Sequence, residues 1–512
     1  MNEFYVMKLL IVENPRPLTI QHYNDVANAP LSASLNSGYA LSVSREAGWE
    51  PAYLDFTCSA DDARTIADRI LDAEADIILF HWVYAWGEEN SVRAVLDLLK
   101  TGSARCIGAF GLFPTLSHQR LAEYAPQLDF IMVGEFEATL QELLHSFCRD
   151  KDLRPVPGLY LGKLPFQRRD VISDLSLLPA PDDLGANCTY STMNIAASRG
   201  CFGDCSFCFI NPFYGCRQRR ERSIASFERE LELRLKRREI SSLYFIDPSF
   251  IGYGAQQKDR VKTISEIVKG HNLPFGFETR VDTIDEHLVN MLANNGAASL
   301  FLGIESGCDA ALQRINKRIT KKQIIRAVQC IQNSPITLSV GFIMFEPDAT
   351  LDELTENYIL LEKLGLLSHH DQTINMLYHS QIVLYGSRAW SKFEQEDRLL
   401  LDQNLPFEAS YRFANVQVAK VCYAMRRLSA EYFIRIDDLY MNRRVTDSGQ
   451  YGCRHLGNPA GVDGGDLNRI LKEAFLAFVR YSGQYSAKQF ACLEDRFVAV
   501  LQDCFGAIAP TA

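Results

Sequence analysis

Positive charge is scarce in this chain: 53 lysines and arginines stand against 63 aspartates and glutamates, a formal net charge of -10. A general nucleic-acid binder needs a basic field to meet phosphates, so that class is excluded. Long apolar runs are missing too. The first one ends within a few residues at Glu13-Asn14-Pro15 and reads as a buried strand, not as a signal segment. No stretch reaches the length needed to cross a bilayer, and a cytoplasmic protein is expected. There is no internal repeat and no low-complexity tract. Nor do the 14 cysteines imply a disulfide framework, since no export signal accompanies them. Those at 58, 106, 148, 188, 216, 308, 330, 422, 453, 492 and 504 are scattered singly and read mostly as small core residues. No second C-x2-C pair is present.

What the chain has is 512 residues, 47% of them hydrophobic, enough for roughly three domains with full cores. Residues 1–150 alternate strand and helix. Strands are predicted at Lys8–Val12, Ala52–Asp55, Asp76–Phe80, Cys106–Gly108 and Phe130–Val133, and helices at Ser37–Ala47, Asp61–Glu74, Ser91–Lys100 and Thr139–Phe147. Such alternation gives an α/β fold: a doubly wound, Rossmann-like parallel sheet whose ligands lie at the carboxyl ends of the strands. Residues 151–190 are rich in proline and glycine and read as a linker, with a hairpin at Gly158–Leu164.

A second series fills 191–387. Its predicted strands are Met193–Ser198, Ser242–Asp247, Phe275–Glu278, Ser299–Gly303, Thr337–Ile343 and Thr373–Tyr378. Six strand–helix units suggest a partial (β/α)6 barrel of TIM type with its reactive groups at the C-terminal strand ends. Residues 388–512 read as a helical region, with helices at Phe393–Leu401, Ala409–Leu428, Leu467–Tyr481 and Ala487–Phe505.

Directly after the first barrel strand comes Ser198-Arg199-Gly200-Cys201-Phe202-Gly203-Asp204-Cys205-Ser206-Phe207-Cys208. Three thiols at C-x3-C-x2-C spacing on a glycine-bearing loop can wrap a four-iron cubane corner by corner and leave one iron open to a chelating cofactor. The competing reading is zinc, with Cys216 or Cys188 as fourth ligand, but structural zinc usually takes two separated ligand pairs.

The C-x3-C-x-aromatic-C pattern, with Phe207 as the aromatic, resembles the radical SAM superfamily. Tyr244-Phe245-Ile246-Asp247, Phe277-Glu278-Thr279-Arg280, Gly303-Ile304-Glu305-Ser306-Gly307, Asn316-Lys317 and Val340-Gly341-Phe342-Ile343 follow in order. The series is similar to the subgroup with an N-terminal cobalamin-binding domain, over roughly residues 5 to 385. It implies that Cys201, Cys205 and Cys208 hold a 4Fe-4S cluster and that S-adenosylmethionine chelates the open iron. Phe207, Asp247, Glu278, Arg280, Glu305 and Ser306 would then contact S-adenosylmethionine. Alternatively, Arg280 and Glu305 belong to an internal bridge that shapes the barrel, since a buried charge needs a partner. Phe202, Pro248 and Phe345 depart from the subgroup's usual proline, second aspartate and glycine.

In the N-terminal domain, Phe110-Gly111-Leu112-Phe113-Pro114-Thr115 and Gly134-Glu135-Phe136-Glu137 resemble the G-G-x-H-P-T and G-E-G-E segments of that subgroup, with phenylalanine at three positions. The resemblance implies cobalamin contacts from Gly111, Pro114, Thr115, Gly134, Glu135 and Glu137. The aromatic loop His81-Trp82-Val83-Tyr84-Ala85-Trp86 suits the flat apolar face of a corrin, so His81, Trp82 and Tyr84 join the set. No D-x-H-x-x-G signature is present. His81 is an axial-ligand candidate, or simply a packed and hydrogen-bonded histidine. A domain that has lost its cofactor and only docks on the barrel is the alternative.

The basic run Arg217-Gln218-Arg219-Arg220-Glu221-Arg222 would meet an anionic substrate or a flavodoxin- or ferredoxin-type reductant, or else form a solvated face. His369-His370-Asp371 reads as a loop, and Tyr378, at the end of the sixth strand, as a substrate-facing residue. The resemblance implies that cobalamin carries a methyl group from one S-adenosylmethionine, while cleavage of a second yields a 5′-deoxyadenosyl radical that activates an unactivated carbon of a small molecule. Radical cyclisation or rearrangement without methyl transfer is the second enzymatic reading, and a zinc-stabilised scaffold the third.

Overall fold

The computed structural model describes residues 6–15, 34–57, 59, 61–83, 89–102, 106–150, 153–184, 191–402, 405–444 and 464–506. In β1 (Lys8–Glu13), Leu10 and Val12 enter the core on one side of a sheet, and Leu9 and Ile11 the core on the other. A strand apolar on both faces needs helices on both. The chain supplies them in the order α1 (Leu35–Glu46), β2 (Glu50–Asp55), α2 (Ala63–Asp72), β3 (Ile77–His81), α3 (Glu89–Gly102), β4 (Cys106–Phe110), α4 (Leu112–Tyr124), β5 (Phe130–Met132) and α5 (Glu137–Asp150). Helix α1 packs against α5, and α2 against α3. The parallel strands run β2-β1-β3-β4-β5. Winding therefore reverses between β1 and β3, and sheets of this kind take ligands outside the carboxyl ends of that strand pair.

Two local readings change. Helix α4 falls where no element was predicted, and Pro114 sits in its first turn, where a missing N–H costs nothing. Residues 159–160, inside the expected linker, form β6 (Leu159–Tyr160), which pairs antiparallel with β5 as the edge of the sheet.

The second sheet is built from β7 (Thr192–Ile195), β8 (Ser198–Arg199), α6 (Ile210–Tyr214), β9 (Arg220–Glu221), α7 (Ile224–Arg237), β10 (Ser242–Phe245), α8 (Ala255–Gly270), β11 (Phe275–Arg280), α9 (Glu286–Asn294), β12 (Ala297–Glu305), α10 (Asp309–Arg314), α11 (Lys321–Gln332), β13 (Thr337–Phe342) and α12 (Leu351–Lys363). Its five parallel strands run β13-β12-β11-β10-β7, while β8 and β9 form a separate ladder. The expected sixth strand, Thr373–Tyr378, is helical: it belongs to α13 (His370–Tyr378). His370, Thr373, Ile374 and Leu377 are buried at helical spacing, and that period overrides the β-propensity of the segment. A single parallel bridge, Phe345–Ser380, continues the sheet. His370 opens the helix instead of lying in a loop, with Nδ1 2.6 Å from the Tyr432 hydroxyl.

The C-terminal region is not helical throughout. After β14 (Val383–Leu384) and α14 (Arg388–Gln395), β15 (Leu399–Asp402) and β16 (Leu405–Tyr411) complete a three-stranded antiparallel sheet. The helix expected over Phe393–Leu401 stops early because Asp397 takes a positive φ. Helices α15 (Val416–Arg444), α16 (Gly464–Tyr481) and α17 (Ala487–Gly506) then pack on one another. Among the described residues no helix is long and apolar enough to cross a membrane.

Candidate active site

The three cysteines lie on one loop with a closed neck. β8 pairs antiparallel with β9, Ser198 opposite Glu221 and Arg199 opposite Arg220, so that residues 200–219 bulge out at the end of β7. Gly200 begins the loop at φ +81°, and a Cβ there would come 2.2 Å from the Gln218 carbonyl oxygen across the neck. Only glycine fits. The rest of the loop is fastened from two further sides. Ser206 N–H donates to the Ile315 carbonyl at 2.9 Å and the Asn316 amide to the Asp204 carbonyl at 2.6 Å. Ala389 of α14 donates to the Ser206 carbonyl at 2.9 Å, beside an Arg388–Asp204 bond. The expected Phe393–Leu401 helix overlaps only the end of α14, and the hold of α14 on this loop was not visible in the sequence.

Cys201, Cys205 and Cys208 are free thiols, each partly exposed. Burial pushes the Cys201 thiol up and the Cys208 thiol up to about 12, so both are protonated until a metal displaces the proton. The Gly203 N–H lies 3.3 Å from Cys201 Sγ, and Arg280 Nη1 3.6 Å from Cys205 Sγ, donors suited to sulfur that gains negative charge. Among the described residues no three His, Cys, Asp or Glu side chains converge on one ion. Cys188 lies outside the described residues. Three thiols at this spacing on one loop are the donor set that a cluster held corner by corner would use.

Around this loop the residues expected to contact S-adenosylmethionine divide. Arg280 is buried: Nε donates to Asp282 at 3.0 Å, Nη2 donates to the Lys317 carbonyl at 2.7 Å, and the guanidinium stacks over Phe202. Glu305 pairs with Lys317 Nζ at 2.7 Å. Arg280 and Glu305 are thus each held in an internal bridge, to Asp282 and Lys317, and not to one another. Asp247 is fully buried and accepts from Ala197 N–H at 3.0 Å and from the Ser198 hydroxyl, which anchors the strand leading into the cysteine loop. Burial raises its carboxyl above the usual range. Glu278, also raised by burial, accepts from Tyr244 at 3.1 Å. Glu305 and Ser306 line a small cavity with Ile343, Met344, Glu346 and Asn357 at the strand ends, and Phe207 packs against the barrel core. Tyr378 ends α13 with its ring against His379 and Phe433.

In the N-terminal sheet, His81 ends β3 beside Glu13, which ends β1. Its Nδ1 lies 2.8 Å from Glu13 Oε1, and the Asn36 amide approaches Nε2 at 3.4 Å. Both ring nitrogens are engaged, which favours the packed histidine over the axial ligand. Trp82 is 2% exposed and meets Phe407 of β16 edge-on at 6.3 Å. It is core, not an open platform for a corrin. Tyr84 lies outside the described residues. Phe110, Phe113 and Phe136 fill the interior, Phe110 against Phe136 at 4.6 Å and Phe113 against Phe407 at 4.8 Å. A Cβ on Gly111 would meet the Trp82 carbonyl oxygen at 2.7 Å, so packing alone demands that glycine. Thr115, buried beside Pro114, accepts from the Gly134 N–H at 3.0 Å and ties the two motif segments together.

Nothing in the motifs pointed to Asn14. Its side chain, 5% exposed at the end of β1, has neither Nδ2 nor Oδ1 hydrogen-bonded. A buried amide at the point where the winding reverses, without a hydrogen-bond partner among the described residues, calls for one from water or from a ligand group.

The basic run fits neither reading made of it. Arg219, Arg220 and Arg222 are buried in ion pairs: Arg219 with Glu221, Arg220 with Glu135 at 2.7 Å, Arg222 with Glu230. Of its arginines only Arg217 is largely exposed. Glu135, expected at a cofactor, is 6% exposed and held by Arg199 at 3.0 Å as well. Glu137 pairs with Arg199 at 2.5 Å. Burial alone would raise the Glu135 carboxyl, but Arg199 and Arg220 together hold it below the usual range.

Residues 195–361 match the Radical SAM superfamily. These residues form a radical SAM domain, of a superfamily whose enzymes work with a 4Fe-4S cluster and S-adenosylmethionine. Its relatives narrow the comparison. An uncharacterized methyltransferase of Pyrococcus horikoshii is 26% identical over 329 residues, 60% of this chain and 68% of that protein. The 4'-phospho-dehydrooxetanocin synthase of Priestia megaterium is 26% identical over 336 residues, 59% of this chain but only 44% of that protein. The solved structure of the cobalamin-dependent S-adenosylmethionine radical enzyme OxsB with aqua-cobalamin bound shares the fold at TM-score 0.77 and 18% identity, covering 98% of this chain and 80% of that one.

Proposed function

We propose that this chain cleaves S-adenosylmethionine reductively at a cluster on Cys201, Cys205 and Cys208, and that it methylates an unactivated carbon of a small molecule with cobalamin in its N-terminal domain. One observation carries the reading: the thiol loop is pinned where the carboxyl end of β7 meets the loop that precedes α5 of the N-terminal sheet. The cluster supplies the electron that splits the sulfonium into methionine and a 5′-deoxyadenosyl radical, and cobalamin supplies the methyl carrier. The protein's part is placement and exclusion of water. Arg280 sets its charge beside Cys205, while Glu278, Glu305 and Ser306 offer polar atoms at the strand ends for the amino acid and ribose of S-adenosylmethionine. Reduction falls to a flavodoxin- or ferredoxin-type partner in the cytoplasm.

The orphan amide of Asn14 supports cobalamin, whose amide side chains and nucleotide tail offer both donors and acceptors. An unpaired buried amide costs about 1–3 kcal/mol. Asn14→Leu is therefore expected to raise the melting temperature of the cofactor-free protein while lowering its affinity for cobalamin. Thermal unfolding and equilibrium dialysis with aquocobalamin check the two signs, and a variant that binds cobalamin normally removes Asn14 from the site.

A second reading, radical cyclisation or rearrangement, has a specific support: one of the two relatives is named a synthase and not a methyltransferase. Anaerobic reconstitution with iron, sulfide and cobalamin, followed by assay of 5′-deoxyadenosine and product mass, separates the readings. A gain of one methylene supports methylation; a loss of hydrogens supports cyclisation.

A further inference from the structure

The neck of the cysteine loop contains an electrostatic conflict. Arg199 and Arg220 stand directly opposite on the two-residue ladder of β8 and β9. Like charges at such a pair push strands apart, and this ladder is too short to resist on backbone bonds alone. Both guanidiniums are nonetheless buried, with side chains 11% and 2% exposed. The partner that reconciles them comes from the other sheet. Glu135 Oε1 accepts from Arg199 Nη1 at 3.0 Å and from Arg220 Nη2 at 3.1 Å, and Oε2 from Arg220 Nη1 at 2.7 Å. Ile172 N–H donates to the same Oε2 at 2.8 Å. Glu137 takes the remaining arm of Arg199, whose guanidinium lies 5.1 Å over the Tyr39 ring of α1.

We infer that Glu135, with Glu137 behind it, is a positioning residue that closes the neck of the cysteine loop and sets the loop's place against the N-terminal sheet. It neutralises two opposed guanidiniums at once, and because it stands just ahead of α5 it transmits the position of one sheet to the thiols of the other. The inference rests on the reading of residues 200–219 as the cluster loop for its functional consequence, but the clamp can be tested in iron-free protein.

Glu135→Gln keeps the shape and removes the charge. In full-length, metal-free protein, hydrogen exchange at the amides of residues 198–222 is expected to accelerate in this variant and to return toward the wild-type rate when Arg220→Gln is added, because the repulsion is then gone. After reconstitution with iron and sulfide, chelator-driven iron loss should be at least about tenfold faster in Glu135→Gln and largely restored in the double variant. A merely structural loss would add to, and not be rescued by, the second substitution. Wild-type protection in Glu135→Gln, or additive damage in the double variant, overturns the inference. If Glu135→Gln does not fold, Arg220→Gln alone decides: it leaves the Arg199–Glu135 pair and should keep the neck protected, and a fully exchanging neck in it overturns the inference too. If wild-type protein takes up no iron while the exchange result holds, the cluster reading fails and the clamp stands.

Discussion

Cys205→Ala is expected to end 5′-deoxyadenosine formation, a fall of more than about 1,000-fold to the background of uncatalysed cleavage. The C-x3-C-x2-C segment offers three thiols, so the loss of one leaves two to hold four irons. Cys205 sits beside Arg280 Nη1 at 3.6 Å, in the middle of the loop, where Ser206 N–H and the Asp204 carbonyl are both tied to the 315–316 segment. The backbone there is held with or without metal, so the variant should fold with wild-type circular dichroism and melt in a single step. What it should lack is the brown colour and the iron. Cys216→Ala, by contrast, should keep both, because Cys216 lies on the far side of α6 from the three spaced cysteines and outside the C-x3-C-x2-C pattern. Persistent 5′-deoxyadenosine in Cys205→Ala, or loss of iron in Cys216→Ala, would redraw the ligand set.

Trp82→Ala should lower folding stability by about 3–5 kcal/mol, the range for removal of a large buried aromatic. A solvent-facing corrin platform would give almost no such loss. The ring is 2% exposed, its backbone N–H extends the β3–β4 ladder by a bond to the Phe110 carbonyl at 2.8 Å, and its edge meets Phe407 from the C-terminal sheet. A cavity there touches two regions of the chain at once. Urea unfolding reads the effect as a lower midpoint with an unchanged slope. A drop of less than about 1 kcal/mol, coupled to weaker cobalamin binding, would return Trp82 to the cofactor face.

The cysteine triad and the two α/β series were legible because they rest on local signals. C-x3-C-x2-C is a spacing, and β1, β3 and β10 are short apolar runs between turn residues. Thr373–Tyr378 misled because its β-branched and aromatic content reads as strand, while the helical recurrence of its buried positions shows only once neighbours are placed. The charged residues misled for a related reason. A run of arginines looks solvated until distant carboxylates are brought to it, and Glu135 lies 64 residues from Arg199 and 85 from Arg220. Asn14 was silent because an unsatisfied amide is a property of surroundings, not of sequence.

Phe407 carries a consequence for how this protein can be divided or recombined. It is fully buried, yet it comes from the C-terminal sheet and completes the core formed by Trp82 and Phe113 of the N-terminal one. Together with the grip of Ala389 on Ser206, it makes the last quarter of the chain a keystone for both earlier units. The two sheets are thus not freely interchangeable cassettes. A chimera that borrows the front sheet from a relative must also inherit the tail that seals it.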